Sequence, residues 1–230
     1  MEKTLSVIIP AYNESESFCE VISLLGSLEL PHGYGMQLIL VDDGSTDGTR
    51  DHVTSFTGTH DVAFHAQNRG KGAAVRTGLG VARGEYVVIQ DADLEYDPAD
   101  MARMLGEMVD RDLRVLYGSR RLGKVFPRNS GIIFYVGGLL LTWLTNILYN
   151  QRITDEPTCY KMFKTEVIKG LPLTSERFEF CPEVTALTAR AGHRIPEIPI
   201  SYNPRSIGEG KKIRFKDWFE AVWTLLKHRF

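Results

Sequence analysis

Cysteine is scarce in this chain, and its pattern excludes two classes at once. The 230 residues hold Cys19, Cys159 and Cys181, far apart and with no CxxC pair. An odd number of scattered thiols makes neither a disulfide framework nor a zinc site, and fits free thiols in a reducing compartment. Net charge is also small, at -2, which argues against a general nucleic-acid binder. The opening "MEKTLSVIIPAYNE" lacks the basic start, long apolar stretch and cleavage site of a signal peptide, so a cytosol-facing protein is expected. No GxGxxG follows the first apolar run, and "GKGAAVRTGLG" comes too late to replace it, which disfavours a dinucleotide-binding protein. Repeats and low-complexity linkers are likewise missing. Apolar and charged fractions of 43% and 24% are those of a globular protein long enough to bury a sizeable core, which removes the disordered and fibrous classes.

What is present in the first half is an alternation of two periods. "TLSVIIP", "MQLILVDD", "DVAFHA", "EYVVIQD" and "LRVLYGS" are short β-rich runs, each closed by Gly, Asn, Asp or Pro. Helical patterning fills 14–27, 46–56, 71–83 and 98–110. Such alternation predicts an α/β fold with a mostly parallel, buried sheet flanked by helices. Ligands of such sheets sit beyond the carboxyl ends of the strands. Tyr12, Asn13 and Glu14, then Asp42 and Asp43, then Asp91 and Asp93, then Ser119 and Arg120 all stand at strand ends, and should converge on one crevice.

Two later segments break the pattern. Residues 131–149, "GIIFYVGGLLLTWLTNILY", lie in a charge-free interval from Asn129 to Gln151, flanked by Lys124, Arg128 and Arg152. One helix of that length spans about 28 Å, nearly a bilayer core. Gly137–Gly138 divides the run, and Thr142, Thr145 and Asn146 soften it. Helices in a membrane interface, a buried or oligomer-forming hairpin, and a true span are all open. In the tail, Trp218, Phe219, Val222, Trp223, Leu225 and Leu226 recur at helical spacing among Lys211, Lys212, Arg214, Lys216, Lys227 and Arg229. A basic interfacial helix has that pattern, and so does an amphipathic helix packed on its own domain. A single domain over 1–230 is expected, with 129–152 as an apolar interfacial segment and 211–230 as a basic amphipathic helix.

"VVIQDADLEY" carries the chemistry. Asp91, Asp93 and Glu95 stand at every second position just past a buried strand, with Ala92 between the first two. Carboxylates so close repel unless a cation lies among them. Hard divalent ions such as Mg²⁺ or Mn²⁺ take oxygen ligands and keep places for water and phosphate. In "DDGSTDGT", Asp47 reads as a turn and helix N-cap residue, and Asp42 and Asp43 as more than that. Lys71 of "RGKG" opens a helix whose amides, with the lysine, suit phosphate, although a solvated surface lysine fits as well.

"SVIIPAYNE", "LILVDDGSTDGT", "NRGKGAAVRTGL" and "VVIQDADLEYDP", in this order, resemble the family 2 glycosyltransferases of GT-A fold over about residues 4–205. "YGSR", "ITDEPTCYKMF" and "FCPEV" look most like the polyprenyl-phosphate sugar synthases of the dolichyl-phosphate mannose synthase group. The resemblance implies a metal-dependent, inverting hexose transfer from a GDP- or UDP-sugar to a polyprenyl or dolichyl phosphate. It implies that Pro10, Tyr12 and Glu14, with Asp42 or Asp43, hold the base and ribose, and that Ala92 and Lys71 lie at the donor. Asp91, Asp93 and Glu95 would hold the Mg²⁺ or Mn²⁺ that bridges the diphosphate, with Asp93 central to catalysis; many relatives carry Gln where this chain has Glu95. Arg120, Arg205, Lys211 and Lys212 would add positive charge for phosphates, the last three on a segment that reads as a lid. Asp155 matches the position given a base or acceptor-orienting role, while Arg120, Arg128 and Glu183 are the acceptor candidates. Glu183 is followed by Val184, so the base motif of hydroxyl-glycosylating relatives is incomplete, and an anionic phosphate acceptor needs little base help. Transfer to a glycan or small-molecule hydroxyl is the alternative enzyme, and a non-catalytic nucleotide-sugar binder the alternative class. Expected partners are a nucleotide sugar, a polyprenyl phosphate and the cytoplasmic face of a membrane, with no nucleic acid; a second copy or a membrane protein is open as a partner for 131–149.

Overall fold

The computed structural model describes residues 3–123, 132–204 and 215–230. Among these, one sheet is built from β1 (Thr4–Ala11), β2 (Gly35–Asp42), β3 (Asp61–Phe64), β4 (Tyr86–Ile89), β5 (Val115–Ser119), β6 (Lys161–Lys164) and β7 (Glu197–Pro199). The order is β3-β2-β1-β4-β6-β5-β7, with β6 antiparallel to both neighbours and the other pairs parallel. The five strands expected from period and composition are all present. The helices between them are α1 (Phe18–Gly26), α2 (Thr49–Ser55), α3 (Lys71–Val81) and α4 (Pro98–Asp110). Asp97 accepts a hydrogen bond from the Ala99 amide and Pro98 opens the first turn, which fixes where α4 begins.

Every residue of β4 is buried, as a strand covered on both faces requires. On one face Leu5, Val7 and Ile9 of β1 pack with Phe18 and Val21 of α1 and Met104 of α4. On the other, Ile8 meets Ala74 and Val75 of α3, and the same cluster continues to Phe180 and Val184. Those last two belong to α7 (Phe180–Arg190), which follows α6 (Thr165–Lys169) and covers the sheet beside α3. β6, α6, α7 and β7 had no place in the sequence reading. Their runs are short, and β6 and β7 are only four and three residues long, too brief for a period to show.

A third layer lies outside α7. α5 (Ile132–Tyr149) and α8 (Phe215–Arg229) pack there through Leu141, Tyr149, Ala186, Ala221 and Leu225. α5 is one unbroken helix, which corrects the division expected at Gly137–Gly138. The glycines serve close approach instead. A Cβ on Gly138 would fall 2.8 Å from Nη2 of Arg121, and one on Gly137 3.3 Å from the Trp218 ring. Trp218 Nε1 also donates to the Gly137 carbonyl at 2.9 Å, which ties α8 to α5. No helix among the described residues is long and apolar enough to cross a membrane.

Candidate functional site

The carboxyl ends of the parallel strands, and the start of antiparallel β6, meet along one edge of the sheet. At the β1 end, half-buried Pro10 and Tyr12 lead into Asn13, whose φ of 52° turns the chain sharply. Asn13 Oδ1 accepts from the Thr46 amide at 2.8 Å and the Glu14 amide donates to Thr49 Oγ1 at 2.8 Å, so the β1 and β2 loops are latched together. Asp47 forms the turn before α2, accepting from Thr49 N and Oγ1 and from Ser15 N, while Gly48 rather than Asp47 takes the N-cap position. Those hydrogen bonds outweigh burial and hold its carboxyl below the ordinary range.

Asp42 and Asp43 are buried at 0% and 2% exposure, and both are committed to internal donors. Asp42 accepts from Arg50 Nε at 2.7 Å and from the Ser45 amide at 3.1 Å. Asp43 takes His65 Nδ1 at 2.6 Å, the Arg69 amide at 3.0 Å and the Gly70 amide at 2.7 Å. The pair therefore shapes the loops around the first three strand ends, a role the sequence did not show because Arg50, His65 and the 69–70 amides lie outside the motif. The amino end of α3 is also occupied from within: the Ala73 amide donates to the Glu176 carbonyl at 2.9 Å. Gly70, at φ +98°, and Gly72 allow this contact, since a Cβ on either would lie 2.5 Å from a carbonyl oxygen of Glu176 or Ser175.

At the β4 end, the acidic turn is built on Leu94 in the left-handed region at φ 58°, unusual for an aliphatic side chain. Asp93 Oδ1 accepts the Glu95 amide at 3.2 Å, and Ser17 Oγ donates to the Ala92 carbonyl at 2.6 Å, which together fix the turn. Asp91 forms an ion pair with Lys71. Burial works against the Lys71 charge, but Asp91 outweighs it and holds the ammonium above its ordinary range. Glu95 Oε2 accepts from Tyr202 Oη at 2.9 Å, so the third carboxylate is tied to the segment after β7. Among the described residues no three His, Cys, Asp or Glu side chains are gathered as a metal cage.

Beside this turn, Arg120 and Asp155 form a two-pronged pair, Nε to Oδ2 at 2.7 Å and Nη2 to Oδ1 at 2.8 Å, with the Arg120 amide adding 3.0 Å to Oδ2. Burial alone would raise Asp155; the Arg120 guanidinium outweighs it and keeps the carboxyl below its usual value. The guanidinium also stacks over Tyr202 at 4.9 Å, above a cluster of Tyr96 and Tyr160 whose rings are 4.8 Å apart. Glu183 is fully buried and accepts from Thr174 N, Thr174 Oγ1 and Ser175 N at 2.7–2.9 Å. It anchors the loop that covers α3, with His228 of α8 3.5 Å away, rather than standing beside Arg120. Arg205, Lys211, Lys212 and Arg128 lie outside the described residues.

Arg121 is a site residue that sequence reasoning passed over, although the doublet "SRR" offered the signal. Its Nη1 donates to the Thr154 carbonyl at 2.9 Å and to Thr142 Oγ1 at 3.3 Å, and its guanidinium lies 5.4 Å from the Tyr135 ring. One arginine of the doublet thus lines the crevice while the next seats α5 against it. Glu156 also went unnoticed. Burial pushes its carboxyl up to about 7 against the pull of Lys161, and its Oε2 has no hydrogen-bond partner. The crevice of loop-fixed carboxylates lies beyond the carboxyl ends of the paired strands β1 and β4, the switch point at which open α/β sheets bind ligands.

Residues 6–171 match the family model described as glycosyl transferase family 2, and the chain belongs to that family. It is 31% identical over 218 residues to an undecaprenyl-phosphate mannosyltransferase of Micrococcus luteus, covering 89% of this chain and 85% of that protein. To a dodecaprenyl-phosphate galacturonate synthase of Rhizobium johnstonii it is 28% identical over 215 residues, or 90% of this chain; it spans only 61% of that relative's length. Glucosyl-3-phosphoglycerate synthase of Mycobacterium tuberculosis, solved with Mn²⁺, UDP and phosphoglyceric acid, superposes with a TM-score of 0.73 at 19% identity, covering 99% of this chain and 78% of that one. The sheet and its flanking helices are the GT-A fold of that structure. The chain is therefore a family 2 member related to proteins named as polyprenyl-phosphate sugar synthases.

Proposed function

We propose that the chain transfers a hexose from a UDP- or GDP-sugar to a polyprenyl phosphate at a membrane surface, with a divalent cation and inversion at the anomeric carbon. The observation that carries the acceptor is the arginine doublet at the seam between crevice and α5. Arg120 lines the polar crevice, and Arg121 packs on Gly138, Thr142 and Tyr135 of an apolar helix. A phosphate on an isoprenoid chain needs cations at the edge of an apolar surface, and arginine grips its oxygens in pairs.

The outer surface supports the membrane part. Of the twelve large apolar side chains most exposed among the described residues, eight sit on α5, α8 or the terminal Phe230, with Trp143 at 63% and Trp223 at 66% exposure. Exposed apolar side chains concentrated on two helices that pack on each other favour a protein or membrane contact there. The residue chemistry suits a hard cation: Asp91, now paired with Lys71, and Asp93 would offer carboxylate oxygens two residues apart on a fixed turn and would leave further positions for water and phosphate. Mg²⁺ or Mn²⁺ held there would supply positive charge for the departing nucleoside diphosphate. Tyr12 and the latched β1 and β2 loops bound the nucleotide end, and the Arg120–Asp155 pair holds the floor.

The alternative acceptor, a sugar hydroxyl, needs a positioned base. Both candidates are committed elsewhere, Asp155 to Arg120 and Glu183 to the 174–175 amides. The test is a panel of UDP- and GDP-hexoses offered to a short polyprenyl phosphate with Mg²⁺ or Mn²⁺. Metal-dependent formation of a lipid-phosphate sugar is expected. Transfer to a free sugar hydroxyl but to no polyprenyl phosphate overturns the assignment.

A further inference from the structure

One tyrosine touches both charged halves of the crevice. The chain leaving β7 is pinned at three points. The Ile200 amide donates to the Ser119 carbonyl at 3.1 Å, the Ser201 amide to the Asp100 carboxylate, and the Asn203 amide to the Glu95 carbonyl at 2.9 Å. Asp100 is itself buried on α4, so the second anchor belongs to the core. Tyr202 stands half-buried between two of these anchors, which present its side chain to the crevice. Its hydroxyl donates to Glu95 Oε2 at 2.9 Å, and the Arg120 guanidinium lies over its ring at 4.9 Å. The Tyr96 ring, 5.2 Å away, supports it from a third direction. Tyrosine joins a hydroxyl donor at the tip of its ring to a negative π-face that attracts cations. Phenylalanine keeps the face without the donor, and leucine has neither.

We propose that Tyr202 is a positioning residue that couples the two halves of the site: its hydroxyl aims Glu95 of the acidic turn, and its ring aims Arg120. Both roles rest on the function proposed above, with Glu95 as the third carboxylate toward the cation and Arg120 toward the acceptor phosphate. The Glu95 backbone is already fixed, its amide by Asp93 and its carbonyl by the Asn203 amide. The tyrosine hydroxyl therefore acts on the carboxylate alone. A ligating carboxylate that loses such a donor loses its orientation, which costs about 10–100-fold in metal affinity or activity. Arg120 is held differently. Asp155 grips its guanidinium in the plane, through Nε and Nη2, and the Tyr202 ring supports it from the face. The face contact is the weaker of the two, and its loss should leave the Asp155 pair standing. Because the two roles belong to different atoms of one side chain, substitutions separate them.

The test uses the full chain and reads Mn²⁺ binding by calorimetry with UDP present, the KM for a short polyprenyl phosphate, and the urea midpoint. Tyr202→Phe should weaken Mn²⁺ binding about tenfold and leave the acceptor KM within about twofold of the parent. Tyr202→Leu should weaken Mn²⁺ equally and also raise the acceptor KM about three- to tenfold. In a Glu95→Ala chain, adding Tyr202→Phe should weaken Mn²⁺ no further, since the hydroxyl acts through that carboxylate. Parental Mn²⁺ affinity in Tyr202→Phe, or a further loss in the Glu95→Ala chain, overturns the hydroxyl's role. A parental acceptor KM in Tyr202→Leu overturns the ring's role. Both constants worsening together in both variants, in step with the urea midpoint, overturns the coupling. A parent that binds no Mn²⁺ counts against the cation itself and overturns the hydroxyl's role with it. Mn²⁺ binding that weakens in Tyr202→Phe, in a chain that transfers no sugar to polyprenyl phosphate, supports the hydroxyl's role and counts against the assigned acceptor alone.

Discussion

Asp155→Ala tests whether the crevice floor is a charge pair or a free base. The variant leaves the Arg120 guanidinium, only 18% exposed, without the carboxylate that takes its Nε, Nη2 and backbone amide. Breaking a buried pair from one side costs about 3–5 kcal/mol, because the remaining charge is desolvated and uncompensated. That is a large share of the roughly 5–15 kcal/mol that holds a domain folded. With a urea slope of about 3 kcal/mol/M, the midpoint should fall by roughly 1–2 M at unchanged slope. Removing both charges with Arg120→Met and Asp155→Leu should recover most of the loss, since neither charge is then stranded. A single variant within about 0.3 M of the parent, or a double variant no better than the single, would refute the pairing argument.

The same pair sets an acid limit. The folded Asp155 carboxyl lies below its unfolded value of about 3.9, so its contribution is present above that pH and is lost as pH falls through the folded value. The parent should therefore lose midpoint on acidification below about pH 4, and the double variant should lose less over the same window.

Asp93→Ala should lower metal-dependent transfer by about 10²-fold or more, roughly 2.7 kcal/mol of barrier; full activity of that variant in excess chelator would sink the cation's role. Glu156 titrates in the opposite sense to Asp155, because burial raises its folded value to about 7. Its contribution is complete below the unfolded value of about 4.3 and fades as pH rises through about 7. Glu156→Gln should remove roughly 3 kcal/mol of that decline, read as urea midpoints at pH 5 and 8, and parallel pH curves for parent and variant would refute it. Gly72→Ala places a Cβ 2.5 Å from the Ser175 carbonyl and should cost about 1–3 kcal/mol, whereas Gly80→Ala, with open space on the same helix, should gain a few tenths to 1 kcal/mol; equal melting shifts would contradict the packing. Trp143→Ser with Trp223→Ser should weaken co-sedimentation with anionic vesicles, and a parent that stays in the supernatant removes the membrane reading.

Much of the fold was legible because parallel strands buried on both faces announce themselves as apolar runs, and β1, β2, β4 and β5 did so. The second half was less so. β6 pairs through three residues with β4 and three with β5, and a run that short has no period of its own. Gly137–Gly138 misled for a physical reason: glycine weakens an isolated helix, but here packing against Arg121 and Trp218 selects it for its lack of a side chain. In the site, residue types at strand ends gave the crevice, while partners could not be read. Lys71 meets Asp91 across 20 residues and Arg120 meets Asp155 across 35. Nothing local in either motif encodes those separations.

The partners change what the motif carboxylates mean. Read along the chain, Asp42, Asp43, Asp155 and Glu183 are acids facing a substrate. In the fold each accepts from a side chain or amide of the protein itself: Arg50 and Ser45, then His65 with the 69–70 amides, then Arg120, then the 174–175 loop. Such bonds fix loops before any ligand arrives, and binding then requires little further ordering. Substitution of these four should accordingly act on stability and donor KM together. Asp93 stands on the acidic turn proposed to hold the cation, and its substitution should act chiefly on kcat. Measuring both constants beside the urea midpoint for each variant separates the two groups. A set of Asp42, Asp43 and Glu183 variants that lose kcat alone, at parental stability, would return those acids to the chemistry.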